Sequence, residues 1–144
     1  MALYELAVVG GAGTTGVAQA EFRAGADPAY IREVGIFLNA ATASTIGLGR
    51  PANNGSVAGG TVTLGQANVQ DDSAAAAGFV TTGWSTAPTV PTQFFRRIGL
   101  PAAIGNGIIW TWGERGLRVK QATSLVVWNL ATNSVASISF VWEE

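Results

Sequence analysis

A glycine-rich stretch near the start of the chain has the spacing of a nucleotide-binding loop. Gly11, Gly13 and Gly16 match the pattern G-x-G-x-x-G, in which glycines let a pyrophosphate approach the backbone where a helix follows a strand. Residues 18–24 alternate between apolar and polar side chains, which predicts a second strand instead of that helix. We therefore expect the glycines to form a turn between two strands, with no nicotinamide or flavin nucleotide and no other cofactor bound.

Few other side chains could take part in chemistry. Asp71 and Asp72 could contact a cation, but two carboxylates at a turn are more often solvated, and hard cations need more oxygen ligands than these supply. The chain has no histidine and no cysteine, which removes the commonest general base, the commonest metal ligand and the thiolate nucleophile. We therefore expect no metal site, no catalytic residues and no enzymatic activity.

The charge balance argues against a polyanionic partner. Eight basic and nine acidic residues give a net charge of -1, so no strong field attracts nucleic acid or an anionic membrane. Only 12% of the residues are charged, so we expect much of the surface to be neutral or covered by other copies of the chain. No apolar run is long enough to span a bilayer, and the first residues lack the features of a secretion signal, so synthesis in a cytoplasm is expected.

The last third of the chain predicts a buried strand face. In residues 134–142 the even positions from 136 onward are apolar and two serines lie between them, so one face of this strand should belong to the core. The runs 108–121, 124–130 and 134–142 are separated by short turn-prone segments and are expected to be neighbouring antiparallel strands. Residues 30–38 carry apolar side chains on both faces, which predicts a strand covered on both sides.

The whole chain of 144 residues is predicted to be a single all-β domain, residues 1–144. It contains eight to ten short runs typical of strands, and the only plausible helical turn is at residues 73–77. About eight main strands with long connections at residues 49–60 and 83–91 fit a jelly-roll-like β-sandwich better than a meander, whose hairpins would all be short. An immunoglobulin-like sandwich is the alternative.

Candidate partner contacts follow from residue type. Arginine and aromatic residues in turns or extended segments are typical of interface anchors. For residues 94–97 an equally weighted interpretation is that arginine stems cover the aromatic rings at a sheet edge. Because the basic residues are spread along the sequence, we expect partner binding to depend little on salt. The candidate contacts are Arg50, Trp84, Phe94, Phe95, Arg96 and Arg97.

Four segments carry a resemblance to known proteins. Residues 31–39 (IREVGIFLN), 46–51 (IGLGRP), 124–130 (SLVVWNL) and 140–144 (FVWEE) resemble small virion structural proteins of tailed bacteriophages, in particular jelly-roll decoration or cement proteins of the head. The resemblance implies a protein that stabilises the capsid shell from the outer surface of the head, as trimers at local three-fold positions, with the major capsid protein as its partner. Similar strings also occur in tail and fibre components, so a carbohydrate- or receptor-binding jelly-roll module of a tail or fibre is the alternative.

Overall fold

The structure is a computed structural model that describes residues 1–10, 17–59, 62–67, 75–131 and 135–144. Within these ranges the chain forms strands, turns and loops and contains no helix. The predicted helical turn is therefore wrong for residues 75–77, and residues 73 and 74 lie outside the described ranges. The strands are β1 (Leu3–Gly10), β2 (Val17–Arg23), β3 (Ala29–Leu38), β4 (Ser44–Gly49), β5 (Ser56–Val57), β6 (Val62–Leu64), β7 (Gln66–Ala67), β8 (Phe79–Thr81), β9 (Trp84–Thr86), β10 (Arg96–Leu100), β11 (Gly107–Thr111), β12 (Leu117–Val119), β13 (Ser124–Asn129) and β14 (Ala136–Glu143).

Eight of these strands pair in the order of a jelly roll. The first sheet runs β11, β3, β14, β1 and the second runs β10, β4, β13, β2, with every neighbouring pair antiparallel. The first strand thus pairs with the last, and the second strand pairs with the last but one in the opposite sheet. This order confirms the predicted all-β, jelly-roll-like sandwich of eight main strands. The immunoglobulin alternative does not fit, because its first two strands share a sheet, whereas β1 and β2 lie in different sheets.

The two sheets bury one hydrophobic core between them. Side chains at the even positions of β14, from Ala136 to Trp142, are at most 1% exposed, which confirms the predicted buried face. The ring of Trp142 lies 5.9 Å from that of Tyr4 in the same sheet and 4.9 Å from that of Phe22 in the opposite sheet, measured between ring centres. Aromatic packing therefore joins the two layers.

The three C-terminal runs are strands, but they do not pair with one another. β11 and β12 both pair with β3 in the first sheet, β13 lies in the second sheet, and β14 returns to the first sheet between β1 and β3. The prediction that these runs are neighbouring antiparallel strands is wrong. Consecutive runs lie in opposite sheets, and stacked sheets are about 10 Å apart, which is too far for hydrogen bonds between strands. The short connection at residues 120–123 can span that distance, since each residue extends by up to about 3.5 Å.

A bulge in β3 changes which of its side chains are buried. The register with β14 shifts between Val141 and Trp142. Beyond the shift, Ile31 joins Val34 on the core side and both are 0% exposed, while Phe37 on the outer side is 39% exposed. Within one chain the outer side of this strand is open, so covering of both sides stays a prediction that requires another copy or a partner.

Residues 50–95 form a long insertion between β4 and β10 that extends both sheets. β7 pairs with β1 in the first sheet, β8 and β6 extend the second sheet beyond β2, and β5 pairs with β9. The chain crosses from the second sheet to the first at Gly65, where any β-carbon would collide with the ring of Trp142. Trp84 and Phe94 from this insertion pack on the outer face of the second sheet, so that face is covered.

Candidate functional site

Glu21 is a buried carboxylate on the covered outer face of the second sheet. Its side chain is 0% exposed and it forms an ion pair with Arg23, with 2.6 Å between Nη2 and Oε1. The hydroxyl of Ser124 donates a hydrogen bond to Oε1 at 2.5 Å, and the indole Nε1 of Trp84 donates one to Oε2 at 2.5 Å. These donors occupy both oxygens, so the group ties the insertion to β2 and β13 and is not exposed to a substrate.

Trp84 and Phe94, two of the predicted partner contacts, are half-buried against the second sheet. Both pack on a cluster that includes Val126 and Trp128. The ring of Phe94 lies directly on the backbone of Gly47, where an added β-carbon would be 2.8 Å from Cδ1 of the ring. Both residues thus stabilise the covering of this face, and contact of either with a partner stays a prediction.

Replacing Trp84 with phenylalanine removes the indole donor to Glu21 and keeps an aromatic ring. We expect Trp84→Phe to lower the free energy of unfolding by about 1–3 kcal/mol, because the buried carboxylate loses a hydrogen-bond partner. Chemical denaturation measures this loss. Trp112→Phe is the matched control, since the Trp112 indole donates no hydrogen bond to any described residue. Equal losses in the two variants would contradict the role given to the Trp84 donor.

An exposed edge of the sandwich gathers basic and aromatic side chains where β10 and β12 are the outermost strands of their sheets. We call the basic edge the set Arg50, Phe95, Arg96, Trp112, Arg118 and Lys120. The guanidinium of Arg50 lies 4.7 Å from the ring centre of Phe95, and its Nη2 donates to the carbonyl of Arg118 at 2.8 Å. The guanidinium of Arg96 lies 5.7 Å from the ring centre of Trp112. These stacking contacts hold cations at the surface of the edge.

The cations of the basic edge have no carboxylate partner within the described residues. The ion pairs that the described residues form are Arg23 with Glu21 and Arg32 with Glu143, and neither involves the edge. The basic edge thus contains four of the eight basic residues of the chain, and none of the four is neutralised by a described carboxylate. We expect binding at this edge to weaken as salt rises, contrary to the prediction from the sequence, because the cations are concentrated instead of dispersed.

The structure brings together three of the six predicted contact residues. Arg50, Phe95 and Arg96 belong to the basic edge, whereas Arg97 is exposed on the opposite side of β10. Sequence reasoning missed the edge residues that follow β11. The available signal was a tryptophan and two cations close to the turn at residues 113–116, but nothing local indicates that β12 lies beside Arg50.

The outer face of the first sheet is open. We call the open face the outward side chains of β1, β14, β3 and β11, chiefly Glu5, Val9, Glu33, Phe37, Ile109 and Val141. Val9 is 58% exposed, Ile109 is 50% exposed and Phe37 is 39% exposed. A depression of about 430 Å³ on this face is flanked by Glu5 and Glu33. Neither carboxylate has an ion pair or hydrogen bond with a described residue. The face is therefore apolar at one end and acidic at the other.

Two sequence motifs cannot be placed. The glycine loop at residues 11–16 and the pair Asp71 and Asp72 lie outside the described residues, although residues 17–23 after the loop form β2 and not a helix. The described residues contain no group of three side chains suited to hold a metal ion. Nor do they contain a helix with the length and apolar character needed to cross a membrane.

No protein-family model, no curated protein and no solved structure matches the chain.

Proposed function

We propose that this protein is a non-enzymatic structural protein of a tailed-bacteriophage virion that binds the capsid shell and stabilises it as a decoration or cement protein. It acts as a homo-oligomer, a trimer by resemblance, on the outer surface of the head, with the major capsid protein as its partner. The jelly-roll sandwich supports this proposal because it is the fold that the resemblance implies. Since one fold hosts many functions, the exposed surfaces carry more weight than the fold.

The observation that carries the proposal is a pair of surfaces that the described residues leave uncovered. The insertion covers the outer face of the second sheet, but the open face keeps three large apolar side chains exposed. The basic edge keeps four cations without a carboxylate partner among the described residues. Exposed apolar area and clustered arginine and aromatic residues are typical of protein interfaces. A decoration protein that assembles as a homo-oligomer needs such surfaces for contact with its own copies.

Binding to separated parts of the particle tests the proposal. Heads and tails of the phage that carries the gene are incubated with the purified protein and sedimented. We expect the protein to sediment with heads and to raise the temperature at which they break, because a ligand that binds only the intact shell stabilises it by mass action. Sedimentation with tails or fibres would instead support the tail or fibre alternative. Binding to neither part would contradict both.

A further inference from the structure

We propose that the basic edge of one copy docks on the open face of the next, so that the chain assembles head to tail into a closed ring. The inference rests on the proposed function in one respect, that the protein is a homo-oligomer, and it adds which two surfaces meet. The occupant of the open face is therefore a second copy of this chain. The cations of that copy meet Glu5 and Glu33, which have no partner among the described residues, and the exposed apolar side chains at the other end of the open face extend the contact.

The open face has the room and the charge to receive an arginine side chain. Its depression, of about 430 Å³, includes the small side chains of Ala7 and Ser139, which pair across β1 and β14. Glu5 and Glu33 flank it from two strands that are separated only by β14, so their backbones lie about 10 Å apart. Because neither carboxylate is paired within the described residues, both can accept hydrogen bonds from a guanidinium of another copy.

The basic edge presents guanidinium groups that are already ordered. Arg50 is fixed by the ring of Phe95 and by the carbonyl of Arg118, and Arg96 is fixed by the ring of Trp112. Ordered side chains lose less conformational entropy on docking than free ones do. The edge is therefore better suited to a specific protein contact than four independent surface cations would be.

The contact joins two different surfaces, which decides the symmetry of the assembly. A sheet edge points along the plane of the sheet and a sheet face points perpendicular to it, so each copy is rotated relative to the one before. Heterologous contacts of this kind close into rings when the rotation fits, whereas a two-fold dimer built on the edge alone would oppose cations to cations and one built on the face alone would oppose carboxylates to carboxylates. A second copy is favoured over the shell as the partner because the complementary carboxylates are present on this chain.

Two variants with altered charge test the contact. The edge variant carries Arg118→Ser and Lys120→Ser, which removes two cations without introducing opposite charge, and the face variant carries Glu5→Lys and Glu33→Lys. We expect each to be monomeric where the unaltered protein is oligomeric, with association weakened at least about tenfold, as measured by sedimentation velocity. A mixture of the two should form a dimer and nothing larger, because one intact edge then meets one intact face. An interface that pairs identical surfaces cannot give this result.

The controls are exposed charges outside both surfaces, and a salt series needs no mutation. Arg97→Glu and Asp27→Lys should leave the oligomer unchanged, since neither residue belongs to the basic edge or the open face. Raising the salt concentration from about 0.1 M to about 1 M shortens the Debye length from about 10 Å to about 3 Å and should shift the unaltered protein toward monomer. The salt series keeps the inference testable if a variant fails to fold, which circular dichroism detects.

Several outcomes would overturn the inference. These are an unaltered protein that is monomeric, variants that stay oligomeric, a mixture without a dimer, and an oligomer indifferent to salt. If the edge variant stays oligomeric but no longer sediments with heads, the edge binds the shell, and the inference fails while the proposed function stands. A protein that assembles as expected but sediments with no part of the particle would instead contradict the proposed function alone.

Discussion

Replacing Glu21 with alanine should lower the free energy of unfolding by about 3–5 kcal/mol, the loss typical of removing one partner from a buried ion pair. Glu21 is 0% exposed, and Arg23, at 19% exposure, is too enclosed to regain full hydration when its counterion is removed. The hydroxyl of Ser124 and the indole N–H of Trp84 would lose their acceptor at the same time. The loss of a counterion for Arg23 and of an acceptor for two further donors makes this the largest loss that we expect from a single polar residue.

Urea denaturation followed by tryptophan fluorescence measures this loss. The matched control is Asp27→Ala, which removes an exposed carboxylate that lies outside the basic edge and the open face and has no partner among the described residues, and should change stability by no more than about 0.5 kcal/mol. Glu21→Gln, which keeps one acceptor oxygen but no charge, should fall between the two. A loss below about 1 kcal/mol for Glu21→Ala would show that water replaces the missing acceptor and that the cluster does not tie the insertion down.

The buried carboxylate also bears on the basic edge. Arg23 donates from Nη2 to the carbonyl of Asn54 at 3.0 Å, and the side-chain amide of Asn54 donates to the carbonyl of Ala122 at 3.2 Å. Asn54 lies shortly after Arg50 and Ala122 lies shortly after Lys120, so both loops are connected to the cluster. We infer that the cluster positions the basic edge, and that loosening it weakens association as well as stability.

The part of the fold that depends on local alternation could be predicted from the sequence. In β14 the alternation is unbroken, so each second side chain faces the core from Ala136 to Trp142. The number of strands and the two long connections indicated a jelly roll because hairpins alone cannot carry a chain repeatedly between two sheets. The pairing of the C-terminal runs could not be inferred, because a short connection serves a hairpin and a crossing between sheets equally well.

Bulges account for the errors at the level of single side chains. A bulge adds one residue to a strand, so every side chain beyond it points to the opposite face of the sheet. The amino-acid composition of the strand does not show where this happens. In β2 the register shifts opposite Val127 and Trp128. Ala18 consequently joins the outer cluster and Gln19 is 1% exposed, whereas unbroken alternation with Phe22 would place Ala18 on the core side.

The basic edge could not be predicted because it depends on residues distant in sequence. Arg50 reaches the carbonyl of Arg118, which is 68 positions away, only because β12 joins the first sheet near the end of β4. Trp84 was expected to be exposed because glycine and proline surround it. The insertion folds back instead, and the indole reaches Glu21 across 63 positions. Local composition predicts extended backbone in both cases but not what that backbone lies against.

Phe94 and Phe95 are adjacent, yet alanine substitutions should have different effects at the two positions. Phe94 covers the outer face of the second sheet, whereas Phe95 belongs to the basic edge that contacts another copy. Phe94→Ala should lower the free energy of unfolding by about 2–4 kcal/mol, because its half-buried ring covers Gly47 and packs against the Trp128 cluster. Phe95→Ala should lower it by less than about 1 kcal/mol, because that ring is 36% exposed and lies mainly under Arg50. The same Phe95 substitution should weaken self-association by about 1–3 kcal/mol, since it removes an aromatic anchor and releases the guanidinium above it.

Stability and association must be measured apart, because an oligomer that binds only folded chains raises the apparent stability of each chain. Urea denaturation of both substitutions is therefore carried out in the background of Glu5→Lys and Glu33→Lys, in which we expect the protein to be monomeric. Sedimentation in the unaltered background then gives the effect on association. If Phe95→Ala destabilises the monomer as much as Phe94→Ala does, both rings belong to the covering of the second sheet and the basic edge loses its aromatic anchor. If Phe95→Ala leaves both quantities unchanged, neither the aromatic ring nor its stacking with Arg50 contributes to association, and the cations alone must hold the subunits together.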